Sequence, residues 1–200
     1  MVKNVVFDLG NVLLNFNSDK IIADHVQDDE LHQQISANIF ESEEWILLDR
    51  GTITAKEATK RFIRRMPENE KLIKEIMENW KQYLTPINEN VEVLNNLAQK
   101  SINLYALSNF HKEAFEEVYE KYDFFNHFHG LIISYREKTV KPEKEIYEKL
   151  ITRFNLKPET TLFIDDSQRN IEAAQKMGFK TIYFNDNIKL SNSITDYITN

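Results

Sequence analysis

Apolar residues gather in five short, nearly continuous runs along this chain: Asn4 to Leu9, Ile102 to Leu107, Gly130 to Ser134, Thr161 to Ile164 and Thr181 to Phe184. The runs are β-branched or aromatic and do not alternate with polar residues. A strand with this pattern is covered on both faces, as in a buried parallel sheet. Between the last four runs the apolar spacing becomes helical, over Val91 to Gln99, Glu113 to Tyr122, Glu145 to Phe154 and Ile171 to Met177. Gly178 stands where it would cap the last of these helices. Strands alternating with helices predict an α/β fold with a doubly wound, mainly parallel sheet.

The first crossover breaks the rhythm. From Asn15 to Pro86, about 70 residues carry helical periodicity and no strand pattern, whereas a βα connection typically takes about 2–6 residues. Pro67 and Pro86 punctuate the segment, and Asp49-Arg50-Gly51-Thr52 predicts a turn within it. The expected organisation is a core domain of residues 1–15 and 87–200, with a helical domain of residues 16–86 inserted after the first strand. The chain has 200 residues, enough for one full domain and such an insertion.

Composition narrows the chemistry. The absence of cysteine removes disulfide scaffolds, zinc–thiolate sites and thiol nucleophiles, and fits a reducing cytoplasm. A net charge of −7 without a local basic stripe argues against nucleic-acid binding. Only 4 glycines are present, which excludes a glycine-rich phosphate cradle. No stretch approaches the roughly 18 apolar residues of a membrane span, and the N-terminus lacks a secretory leader pattern. The expected location is therefore the cytoplasm, with no membrane partner.

In open parallel sheets, ligands bind beyond the carboxyl ends of the strands. Asp8-Leu9-Gly10-Asn11 follows the first predicted strand, Ser108-Asn109 the second, Lys141-Pro142 comes shortly after the third, and Asp165-Asp166-Ser167 follows the fourth. Two carboxylate sites, a hydroxyl with amides and an ammonium are the parts required for metal-assisted phosphoryl transfer. Three carboxylates converging in one cleft repel one another unless a cation intervenes. A site of few oxygen ligands completed by water and phosphate suits Mg2+ better than zinc.

Phe-Asp-Leu-Gly-Asn-Val, Leu-Ser-Asn, Val-Lys-Pro-Glu and Phe-Ile-Asp-Asp-Ser, in this order across residues 7–166, resemble the four motifs of the haloacid dehalogenase-like (HAD) hydrolase superfamily. The Asp-Leu-Gly-Asn-Val opening is most similar to that of glucose-1-phosphatase-type sugar phosphatases, and the helical insertion to a C1 cap on a Rossmannoid core. The resemblance implies an Mg2+-dependent phosphatase acting on a small phosphorylated metabolite, such as a hexose 1-phosphate. It implies Asp8 as the nucleophile that forms an aspartyl-phosphate. Ser108 and the Asn109 amide would bind phosphate, and Lys141 would neutralise phosphate and fix Asp8. Asp8, the Gly10 carbonyl, Asp165 and Asp166 would hold Mg2+.

Position 10 departs from the pattern. Most phosphatases of the superfamily carry an acid/base Asp there, and a positioned acid contributes about 10²–10⁴-fold in rate. A good leaving group, a proton donor from the cap or water, or a slow or silent enzyme would each account for Gly10. A 2-haloacid dehalogenase is the sibling alternative, disfavoured by the retained Asp165–Asp166 pair. A phosphoglucomutase is disfavoured by the missing acid. The alternative from another class is a silent sugar-phosphate-binding protein. Trp45, Asp49 and Arg50 are candidates for substrate selection, although Arg50 also reads as a solvated turn residue. Asn170 is a candidate support for the metal site, and His111 lies near Ser108. Ser108-Asn109 also reads as a helix N-cap. His25, His32, His127 and His129 show no ligand spacing. The oligomeric state is open.

Overall fold

A computed structural model of the chain describes residues 2–185 and 187–198. The expected core segments extend to residues 1, 186, 199 and 200, which lie outside the described residues. Five parallel strands form one sheet: β1 (Asn4–Phe7), β2 (Asn103–Ser108), β3 (Gly130–Ile133), β4 (Thr161–Asp165) and β5 (Lys180–Tyr183), in the order β3-β2-β1-β4-β5. Strand β1 sits at the centre, with Phe7 opposite Ala106 on one side and Ile164 on the other. The chain thus winds outward from β1 in both directions, and the loops after β1, β2 and β4 meet at one edge.

The continuous apolar runs have the expected cause. Val5, Phe7, Leu104, Ala106, Leu162 and Ile164 enter one buried cluster. Val6, Tyr105, Leu107 and Phe163 point to the other, where they meet Ile146, Tyr147, Leu150 and Ile171. Burial of both faces is why polar alternation is missing.

Five α-helices follow β1 within residues 18–79: α1 (Ser18–Ala23), α2 (Asp29–Asn38), α3 (Glu43–Arg50), α4 (Ala55–Arg65) and α5 (Glu70–Asn79). Their starts are written in the sequence. Asn17, Asp28, Ser42 and Thr54 each accept a hydrogen bond from a first-turn amide, and Thr54 with Glu57 forms a reciprocal capping box. The remaining α-helices are α6 (Asn88–Ala98), α7 (Lys112–Lys121), α8 (Ser134–Glu137), α9 (Lys144–Phe154), α10 (Gln168–Lys176) and α11 (Leu190–Ile198).

Local boundaries differ from the sequence reading for physical reasons. β1 ends at Phe7, because Leu9 O accepts from the amides of Leu13 and Leu14 and closes a tight turn. Ser134 opens α8 instead of ending β3. Asp49 and Arg50 complete the last turn of α3, and Gly51 alone makes the stop, at φ 68. This left-handed conformation costs a residue with a Cβ about 1–2 kcal/mol. Gly51 also sits so close to α8 that a Cβ would lie 2.6 Å from the Tyr135 carbonyl oxygen. Ser108-Asn109 do not cap a helix, because α7 starts later, with His111 at its N-cap position.

Candidate active site

Asp8 follows β1, Ser108 ends β2, and Asp165 ends β4. The register therefore delivers three functional groups to one edge. Asp8 accepts from Leu9 N (2.7 Å) and the Ser108 hydroxyl (2.7 Å) on Oδ1. Its Oδ2 lies 2.8 Å from the Lys141 ammonium, whose Nζ also lies 2.7 Å from Asp165 Oδ2. The Lys141 side chain is 1% exposed. A buried cation between two buried carboxylates is held by charge and geometry together.

The Asn109 side chain fixes the Lys141 backbone. It donates to Lys141 O at 3.0 Å and accepts from Lys141 N at 2.8 Å. Asp165 is fully buried. Besides Lys141, it accepts from Ser167 N (2.8 Å) and from Asn170 Nδ2, at 2.9 Å on one oxygen and 3.2 Å on the other. Asn170 is itself fixed by Tyr147, whose hydroxyl donates to the Asn170 carbonyl at 3.1 Å. Asp166 is half-buried and accepts from Asn11 Nδ2 at 3.0 Å.

Electrostatics follow from this crowding. Burial raises the Asp8 carboxyl to about 7, Lys141 opposes the rise, and Asp165 and Asp166 add to it. Asp166 is raised by burial and by Asp165, against the Asn11 hydrogen bond. Burial pulls Lys141 down, but Asp165 and Asp8 outweigh it and hold the ammonium well above the ordinary lysine range. One oxygen from each of Asp8, Asp165 and Asp166 lies within 4.8 Å of the others, the one such acidic or histidine cluster among the described residues. Hard oxygen donors at this spacing, mutually repelling without a counter-charge, fit Mg2+. Asp165 is already bonded on both oxygens, so Asp166 has more capacity left for a cation.

Beside this cluster a cavity of about 100 Å³ is lined by Gly10, Asp49, Asn109 and His111, with Phe16, Trp45 and Trp80 among its walls. The rings interlock: Trp45 lies 5.0 Å from Trp80 and 4.3 Å from His111. Burial holds the His111 ring near 3, against a contact to the Trp45 backbone that favours its charged form, so the imidazole is neutral. Trp45 and Asp49 thus reach the site. Arg50 does not: it pairs in bidentate fashion with Glu143, at 2.9 and 2.5 Å. Asn170 meets Asp165, as a support for the metal site would. His129 instead accepts from Leu104 N at 3.1 Å.

The sequence reading gave Asn11 no role. At φ 52 it occupies the left-handed region, where Asn is among the few tolerated side chains. From there it reaches both Asp166 and Phe16 N. An Asn directly after a strand-end Asp-Leu-Gly is the local signal for such a turn.

The chain is similar to known proteins over nearly its whole length. D-ribitol-5-phosphate phosphatase of Bacteroides thetaiotaomicron is 26% identical, over 90% of this chain and 91% of that protein. Sesquiterpene phosphatase astK of Aspergillus oryzae is 23% identical, over 93% and 91%. A HAD family enzyme of B. thetaiotaomicron, solved as a magnesium complex, superposes with a TM-score of 0.75 at 26% identity, over 96% of this chain and 98% of that one. The family model for haloacid dehalogenase-like hydrolase matches residues 2–178. That span includes Asp8, Ser108, Lys141, Asp165 and Asp166 together, and the chain belongs to the haloacid dehalogenase-like hydrolase family.

Proposed function

We propose that this hydrolase is an Mg2+-dependent phosphatase that cleaves a small phosphate monoester through an aspartyl-phosphate on Asp8. The observation that carries the reading is Asp8 itself: a buried carboxylate fixed by Ser108 and Lys141 beside a metal-compatible acidic pair. Asp8, Asp165 and Asp166, with the Gly10 carbonyl, would hold Mg2+, which supplies positive charge against the phosphoryl oxygens. Asp8 attacks phosphorus and divides one displacement into two easier ones. Ser108 and Lys141 orient the attacking carboxylate, and Lys141, Ser108 and the Asn109 amide offset the charge on the transferred group.

Residues 16–86 form a cap over a core of residues 1–15 and 87–200, and its closure excludes water from the reaction. The substrate class is a sugar phosphate, such as a hexose 1-phosphate. The Asp-Leu-Gly-Asn-Val motif supports this class, as does the likeness to phosphatases named for D-ribitol 5-phosphate and, in Thermotoga maritima, for phosphorylated carbohydrates. A second reading, an apolar phosphate monoester, is favoured by the aromatic walls of the cavity and the likeness to the sesquiterpene phosphatase. No helix among the described residues is long and apolar enough to cross a membrane, and we assign the enzyme to the cytoplasm, without a nucleic-acid partner.

The test is phosphate release from a panel of sugar, polyol and isoprenoid phosphates, with Mg2+ and with EDTA. Mg2+-dependent release that Asp8→Asn abolishes is expected. Tight binding without turnover favours the silent binding protein, and metal-independent halide release from 2-haloacids favours a dehalogenase.

A further inference from the structure

We propose that Asp49, carried to the site by α3, donates the proton to the departing oxygen and then accepts one from the attacking water. The inference rests on the phosphatase reading above and adds the acid/base group that reading lacks. An alkoxide leaves poorly without a proton, and a positioned acid typically contributes about 10²–10⁴-fold. Ser108 and Lys141 are committed to Asp8 and Asp165. At Gly10, next but one to Asp8, a Cβ would meet nothing within 4 Å. The space at Gly10 is open, and Asp49 lines the same cavity as Gly10, together with Asn109 and His111.

Asp49 is held there by its surroundings. Its carbonyl accepts from the Ser134 hydroxyl at 2.5 Å, and Ser134 Oγ in turn accepts from Phe110 N. Arg50 grips Glu143, and the Gly51 carbonyl accepts from Lys138 Nζ at 2.5 Å. Three consecutive residues of the insertion are therefore tied to the core, and the Asp49 side chain is only 16% exposed.

The titratable groups facing Asp49 are Asp8 after β1, Lys141 before α9 and His111 before α7. Burial raises the Asp49 carboxyl to about 8, Asp8 adds to the rise, and Lys141 opposes it, so the group carries a proton at neutral pH. His111 Nε2 lies 3.4 Å from Asp49 Oδ1 but out of hydrogen-bond alignment. This nitrogen is buried and has no hydrogen-bond partner among the described residues. His111 therefore faces Asp49 across the cavity without bonding it, which leaves the Asp49 proton free for the leaving oxygen. His111 is neutral, so it offers no positive charge that would strip the Asp49 proton.

The steps balance. As an Asp8 oxygen bonds to phosphorus, the bond from phosphorus to the leaving oxygen breaks, and that oxygen takes the Asp49 proton and departs as an alcohol. Water then gives a proton to the Asp49 carboxylate while its oxygen bonds to phosphorus. The Asp8–phosphorus bond breaks, which releases phosphate and restores the Asp8 carboxylate and protonated Asp49.

The test compares Asp49→Asn with wild type on two substrates, in Mg2+. One is the fastest alkyl phosphate of the panel above, and the other is p-nitrophenyl phosphate, whose phenolate leaves without a proton. We expect single-turnover cleavage of the alkyl phosphate to slow by about 10²–10⁴-fold. With p-nitrophenyl phosphate we expect a burst of about one equivalent at near wild-type rate, then slow turnover because water lacks its base. Gly10→Asp added to Asp49→Asn restores alkyl phosphate cleavage at least tenfold. Should Asp49→Asn fold poorly, Asp49→Ser is read in the same way. Alkyl phosphate cleavage within threefold of wild type, or equal loss on both substrates with neither burst nor rescue, overturns the proposal. An inactive wild type overturns the phosphatase reading as well, which separates the two failures.

Discussion

Replacement of Lys141 by Met probes the electrostatics that hold the site together. The ammonium contacts Asp8 at 2.8 Å and Asp165 at 2.7 Å, and all three side chains are buried. Met keeps most of the stem volume and removes the ammonium, with its charge and its hydrogen bonds to Asp8 and Asp165. Leaving one partner of a buried ion pair uncompensated costs about 3–5 kcal/mol. Asp165 retains Ser167 N and Asn170, and Asp8 retains Leu9 N and Ser108, which favours the lower end, about 3 kcal/mol. For a chain of this size, about 3 kcal/mol lowers Tm by roughly 6–12 °C.

The loss depends on pH with a definite sign. The folded-state pKa of Asp8 is raised, to about 7 with Lys141 present. Its protonated form therefore supports the fold at low pH, and that support is lost as pH rises through the folded value. Without Lys141 the folded value moves higher still. The Tm gap between wild type and Lys141→Met, measured by scanning calorimetry in EDTA, should widen from about pH 6 to about pH 8.5. A Tm gap below about 2 °C, which is less than about 1 kcal/mol for a chain of this size, or one that narrows as pH rises, would refute the bridging role.

Three further outcomes follow from the same geometry. Gly51→Ala forces a Cβ into the left-handed region and against the Tyr135 carbonyl, and should cost at least about 1–2 kcal/mol in urea unfolding. Glu143 is held at about 2 by the Arg50 hydrogen bond, with lesser help from Thr139 and the Val140 amide, against burial. Its depressed folded value means that its contribution is present above about pH 4.5 and lost as pH falls towards 2. The side chain is 42% exposed, so Glu143→Gln should lower stability by about 1 kcal/mol or less at pH 7 and by nothing near pH 2. Mg2+ at about 100 times its Kd should stabilise wild type by about 2.7 kcal/mol, and Asp166→Asn should remove most of the resulting Tm rise.

Much of the core is legible because its causes are local. Val5, Val6 and Phe7 are all apolar because both faces of β1 are buried, and a strand's end marks where polar groups emerge. Asp8, Ser108 and Asp165 could therefore be singled out one by one, Lys141 stood out only in the loop beyond the third strand, and the fold brings the four together. Asn109 was legible as a site residue, but its grip on the Lys141 backbone depends on a loop 32 residues away. Asp49 was harder still. Its role depends on how α3 docks against α8, through the close approach of Gly51 and Tyr135 and the Ser134 hydroxyl, and local spacing carries no trace of that contact. Arg50 has the same cause with the opposite result, since the docking that aims Asp49 inward turns Arg50 out to Glu143.

The central claim is that Asp8 becomes phosphorylated. The direct measurement is acid quench of the enzyme during turnover of p-nitrophenyl phosphate with Mg2+, borohydride reduction of any acyl phosphate, and peptide mass spectrometry. The account predicts homoserine at position 8, enriched in Asp49→Asn and absent in Asp8→Asn. Turnover with residue 8 still aspartate under the same quench, or reduction at Asp165 or Asp166 instead, would contradict it.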